Sequence, residues 1–170
     1  MSFRFIIPII LLLAATGAHA APAPAPRTGE AEVRETRGGL PCFTISQREE
    51  ERGGAPDFQA VTVYDPSSRP RAKMWTMAMP PDRTFPVLFS MCIPYAGRVQ
   101  SLPQTKSVML ETGKVYEVHI DVRPGGGPNQ PRAYGARFCL AKQRDGGVLV
   151  RHIGAGAQEG RNLYGCIVSK

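Results

Sequence analysis

Lys114-Val115-Tyr116-Glu117-Val118-His119-Ile120-Asp121-Val122-Arg123 is the stretch that decides the fold class. Tyr116, Val118, Ile120 and Val122 fall on one face, and Glu117, His119, Asp121 and Arg123 on the other. A period of two with one apolar face predicts a half-buried antiparallel strand. Tyr134 to Lys142 repeats the pattern, with Tyr134, Ala136, Phe138 and Leu140 on one face and Cys139 out of phase with them. A disulfide from Cys139 is therefore expected on the outer face of the sheet, or at its edge, clasping the C-terminal strand through Cys166. The intervening Pro124-Gly125-Gly126-Gly127-Pro128-Asn129-Gln130-Pro131 is a strong turn signal.

Further strands are predicted over Cys42–Ser46, Phe58–Tyr64, Arg71–Met79, Val87–Ile93, Gly147–Ile153 and Tyr164–Val168. Between them stand Gly53-Gly54-Ala55-Pro56, Asp65-Pro66-Ser67-Ser68, Met79-Pro80-Pro81-Asp82 and Asp145-Gly146-Gly147, the last a hairpin signature. The chain holds 18 Gly and 16 Pro among 170 residues, which argues against a helix bundle. No segment sustains a 3.6-residue period. The expected fold is all-β: a small, disulfide-stabilised antiparallel β-sandwich, immunoglobulin-like, of seven to nine short strands. An open barrel is the alternative.

Residues 1–20 have the order of an export signal: Arg4, an uncharged run from Phe5 to Ala15, then Ala18-His19-Ala20. Cleavage is expected after Ala20. The run is about half of the roughly 20 residues a spanning helix needs, so no stable membrane insertion is expected. Residues 21–36, opening with Ala21-Pro22-Ala23-Pro24-Ala25-Pro26, read as a disordered Ala/Pro-rich tether. Residues 37–170 are the expected domain.

All four cysteines, Cys42, Cys92, Cys139 and Cys166, follow the signal. An even count in a small exported domain predicts two disulfides. Three pairings are possible and spacing does not strictly choose among them; Cys42–Cys92 with Cys139–Cys166 is favoured. Absence of any C-x-x-C argues against zinc and against a thiol redox enzyme.

Lys and Arg number 21 against 14 Asp and Glu, a net charge of +7 that becomes +6 when Arg4 leaves with the signal. The cations are scattered and 16 are Arg, so no basic stripe with interleaved aromatics marks a nucleic-acid binder. An acidic protein partner fits the charge.

Catalytic signals are sparse. Beyond the signal the histidines are His119 and His152, and His119 shares an outward strand face with Asp121. An acid–base or metal role for that pair competes with a plain solvated strand face. There is no H-E-x-x-H or G-x-S-x-G. Glu49-Glu50-Glu51 reads as a solvated loop, and Gly154 to Gly160 as a flexible loop that misses the dinucleotide glycine spacing. No catalytic residue, cofactor or metal is expected. Trp75 is assigned to the core. Tyr95, Arg98, Arg123, Arg132 and Tyr134 flank the best-marked loops, and Tyr and Arg are the residue types that anchor interfaces. Tyr95 also fits as a plug closing the sandwich.

Leu40-Pro41-Cys42-Phe43, Cys92-Ile93-Pro94-Tyr95-Ala96-Gly97, Gly113-Lys114-Val115-Tyr116 and Tyr134-Gly135-Ala136-Arg137-Phe138-Cys139-Leu140 together span most of residues 40–150. Taken in order, they resemble the small periplasmic type VI secretion immunity proteins, many of which are lipoproteins. This chain lacks their lipidated cysteine and adds Cys166. The resemblance implies a compact β-sandwich without catalytic residues that occludes a secreted toxin effector in the periplasm. An envelope accessory protein or hydrolase inhibitor without a cognate toxin is the alternative.

Overall fold

The computed structural model describes residues 27–99, 101–123, 130–154, 162–163 and 166–167. The expected export signal, its cleavage point, the first part of the tether, most of the 124–131 loop and the glycine loop after Gly154 lie outside these residues. The strands are β1 (Thr28–Glu35), β2 (Pro41–Ile45), β3 (Phe58–Asp65), β4 (Ala72–Ala78), β5 (Ile93–Pro94), β6 (Val115–Val122), β7 (Ala133–Lys142), β8 (Val148–Ile153), β9 (Asn162–Leu163) and β10 (Cys166–Ile167). Among the described residues one helix, α1 (Gln47–Gly53), follows β2.

The fold is mostly β, as the alternating stretches require. One sheet runs β4-β3-β6-β7-β1-β2-β5, with β8 also paired to β7. Every pair in it is antiparallel except β1 with β7, which is parallel at Thr28–Glu30. Beyond Glu30, β1 leaves β7 and pairs Ala31–Glu35 with β2, while β8 takes up the rest of β7. The strand thus hands the sheet from one layer to the other. The layers close on a core that joins Ala31, Val33, Phe43 and Ile45 to Val61, Val63, Tyr116, Val118, Ile120 and Phe138. Phe43 and Phe138 meet at 5.5 Å between ring centres.

The sheet curls far enough to bring its two ends together. Trp75 of β4 and Tyr95, just past β5, stack edge to face at 5.5 Å. The free side of β4 is taken by residues 103–108: Ala78 N–H donates to Pro103 O, Thr105 N–H to Thr76 O and Val108 N–H to Met74 O. That covering blunts an edge that would otherwise offer unpaired backbone groups.

Three expectations are corrected. The tether does not extend to residue 36, because Thr28–Glu35 is a strand whose Ala31 and Val33 are buried. Val87–Ile93 is not a strand beyond the short Ile93–Pro94 pairing. Its backbone is satisfied outside any ladder: Val87 N–H donates to Pro56 O and Met91 N–H to Leu88 O, the Thr44 hydroxyl also donates to Leu88 O, and Phe89 N–H donates to the Glu50 carboxylate. Glu49–Glu51 is helical. Ser46 caps α1 by accepting from Glu49 N–H, and Gly54, at φ +73°, ends it. Ser46-Gln47-Arg48-Glu49 is a capping-box spacing, a signal legible in the sequence.

The cysteine expectations hold. Both favoured disulfides are present, Cys42–Cys92 and Cys139–Cys166, with Cα separations of 5.3 and 6.0 Å. Cys139, out of phase with the main core, sits on the reverse face of the sheet and clasps the C-terminal β10 through Cys166, as its phase predicts. With Val115, Ala141, Ile153 and Cys166 it forms a small second core on the reverse of the sheet, fully buried. β10 docks there, and the covalent link supplies what so small an apolar cluster lacks.

Candidate interaction surface

Three turns meet beside the Cys42–Cys92 clasp. The β1–β2 turn is closed by Thr36 N–H to Leu40 O and Gly39 N–H to Thr36 O, with Gly39 at φ +74° where a side chain would be strained. The turn after β5 is closed by Gly97 N–H to Pro94 O, and Tyr95 N–H ties it to Pro41 O. The third segment, 107–111, is held at both ends by buried tyrosines. The Tyr95 hydroxyl donates to Val108 O at 2.6 Å and lies 3.2 Å from Met74 O, while the Tyr116 hydroxyl accepts from Glu111 N–H at 2.8 Å. Burial pushes the Tyr95 phenol up to about 12 and raises that of Tyr116, so both stay neutral near neutral pH.

Together these turns frame a hollow of about 330 Å³ that includes Leu40, Ala96, Val108, Met109, Leu110 and Leu140. Its rim is apolar and open to water: Met109 is 87% exposed, Leu40 50% and Val108 49%. A cluster of exposed apolar side chains held by a hydrogen-bonded frame marks an interaction site. Covering these three side chains is worth about 4 kcal/mol by area, before the entropy of association.

The five interface residues expected from the sequence have different fates. Tyr95 is only 5% exposed; it closes the core and positions the 107–111 segment, so it presents no ring to a partner. Tyr134 is also buried, its ring lying over Gly29 so closely that a Cβ there would collide with it. Arg123 is committed to its own fold: its guanidinium donates to the carbonyls of Pro80, Pro81 and Arg83. Arg98 and Arg132 remain exposed. Sequence reading missed Leu40, Val108 and Met109, because an isolated apolar residue in a loop carries no periodic signal.

His119 lies in a larger hollow of about 680 Å³, with Arg48, Glu49, Arg71, Glu117 and His152 also in its lining. Asp121 is not part of that lining. The His119 ring packs edge-on against Tyr64 at 5.4 Å, and Arg71 pairs with Glu117 at 3.1 Å. Nearby, Glu49 is 4% exposed and receives a two-pronged contact from Arg27, 2.7 Å per arm, plus Arg52 at 3.2 Å. The Arg27 contact holds its carboxyl below the usual range against the opposing effect of burial. These charges tie β1 to α1. Among the described residues no three His, Cys, Asp or Glu side chains gather as metal ligands, and no helix is long and apolar enough to cross a membrane.

Comparison with family models, curated proteins and solved structures gives no match for this chain.

Proposed function

We propose that this chain is an exported, non-catalytic protein-binding module, an immunity protein that binds and neutralises an antibacterial toxin in the periplasm. The observation that carries the proposal is the open apolar rim of Leu40, Val108 and Met109 on a frame clamped by Cys42–Cys92, Tyr95 and Tyr116. Occlusion needs no chemistry from the binder. It needs a preorganised surface with apolar anchors, and preorganisation lowers the entropy lost on association. The net charge favours a toxin with an acidic contact face, and Arg37 and Lys106, exposed beside the rim segments, supply cations there. The two disulfides suit an oxidising compartment, and the resemblance supports delivery of the toxin by type VI secretion.

The test places the toxin encoded beside this chain in the periplasm of cells with and without it. Survival is expected with the wild-type chain. The pair Val108→Asp and Met109→Asp is expected to weaken the purified complex by about 100- to 1,000-fold, consistent with the buried area. Failure to protect against any neighbouring toxin, or undiminished binding by the double variant, overturns the proposal.

A further inference from the structure

A second concavity lies on the other side of the β5 turn and shares no lining residue with the Leu40–Met109 hollow. It encloses about 460 Å³ between β4, the residues before β5, and residues 97–99 and 101–102. Met77 in its lining is buried, while Met79, Phe85, Met91 and Leu102 are half-exposed. Its only charged members are Arg83 and Arg98, both exposed, and neither guanidinium has a partner among the described residues. No carboxylate among the described residues lines it.

We propose that this groove binds a linear anionic amphiphile, an alkyl carboxylate, with its chain along the methionines and its head group on Arg83 and Arg98. The volume is that of a small-molecule pocket, and the pattern of a mostly apolar lining with a few convergent polar groups is the usual one. Methionine side chains are unbranched and polarizable, so three of them conform to a flexible chain better than branched residues do. Two guanidinium groups in a lining that holds no carboxylate give the groove a cationic mouth, and their planar forks match a carboxylate. That mouth selects against cationic ligands and against a second copy of this cationic chain. The pocket walls are also fixed in place. Arg123 gathers the 80–83 carbonyls and so holds the backbone that carries Arg83, and the Cys42–Cys92 bond anchors the opposite wall.

The experiment titrates the folded, disulfide-bonded protein with sodium octanoate, decanoate and dodecanoate below their micelle concentrations, by calorimetry. Affinity is expected to rise about fourfold per methylene until the groove is full. Dodecanol and dodecyltrimethylammonium are expected to bind at least tenfold more weakly than dodecanoate. The pair R83Q and R98Q is expected to lower dodecanoate affinity at least tenfold while its melting temperature stays unchanged. Met91→Trp, which fills the groove, is expected to abolish binding of the whole series. Equal affinity for the cationic amphiphile, no effect of R83Q and R98Q, or no dodecanoate binding to the folded protein overturns the proposal. Binding of an acidic, phenylalanine-containing peptide in place of dodecanoate overturns it in favour of a peptide groove.

Discussion

Replacing Tyr95 by phenylalanine removes one oxygen atom and nothing else from the core, and its effect on stability reverses sign with pH. Near neutral pH the loss is a single hydrogen bond. Met74 O keeps its bond from Val108 N–H, whereas Val108 O has only the tyrosine hydroxyl. Val108 is half-exposed, so water reaches its freed carbonyl, and the cost is about 1–1.5 kcal/mol. At alkaline pH a second effect opposes this. Burial raises the native phenol from 10.0 to about 12, so the unfolded chain ionises first. A raised native pKa contributes stability that is whole below the unfolded pKa and lost as pH climbs through the native one. The wild type therefore loses roughly 1.4 kcal/mol per pH unit between these values relative to the Tyr95→Phe variant, which has no phenol to ionise there. Tyr116 and Tyr134 are raised too, but both proteins contain them and they cancel. The stability curves should cross near pH 11. Urea unfolding followed by circular dichroism, at intervals from pH 8 to 12, measures the difference. A wild-type advantage that stays constant across that range would falsify the burial of the phenol.

Removing the Cys42–Cys92 bridge by double alanine substitution should cost about 4 kcal/mol, and removing Cys139–Cys166 about 3.5, from loops of 50 and 27 residues before any native strain, read by denaturant midpoints. Only the first should also loosen the Leu40–Met109 rim, seen as faster hydrogen exchange at the Tyr95 amide. Glu49→Gln should cost roughly 1–2 kcal/mol at pH 7, less than a fully buried pair because Arg27 is partly exposed. The native carboxyl lies below its ordinary 4.5, so its contribution is present above that value and lost as pH falls through the native one; the variant should show a flatter acid limb, and identical limbs would refute the assignment. Gly29→Ala should destabilise by about 1–3 kcal/mol because the new Cβ meets the Tyr134 ring, and Tyr134→Ala in the same chain should relieve part of that loss.

What was legible in the sequence was carried by near neighbours along the chain. The alternation from Lys114 to Arg123 and from Tyr134 to Lys142 appears as β6 and β7, with Tyr116, Val118, Ile120 and Phe138 facing the core as expected. An even cysteine count announced two bridges, because pairing is the ordinary state of thiols in an oxidising compartment. The capping-box spacing at Ser46 was equally local and equally readable.

Tertiary structure alone decided which surfaces were covered. Gly29, Ala31 and Val33 alternate too weakly to announce a strand, yet β1 becomes the strand that passes between the layers once β7 and β2 offer it partners. Cys139 points away from the main core, but β10 arrives over it from the far end of the chain and buries it. Tyr95 and Tyr134 are residue types that anchor interfaces, and here Trp75 and Gly29 turn them inward. Leu40 lies far in sequence from the adjacent Val108 and Met109, and the three gather into one rim only when the sheet has curled. Local periodicity fixes which way a side chain points within its own strand. Whether that direction leads to solvent, core or partner depends on segments dozens of residues away, and no window of neighbouring residues contains them.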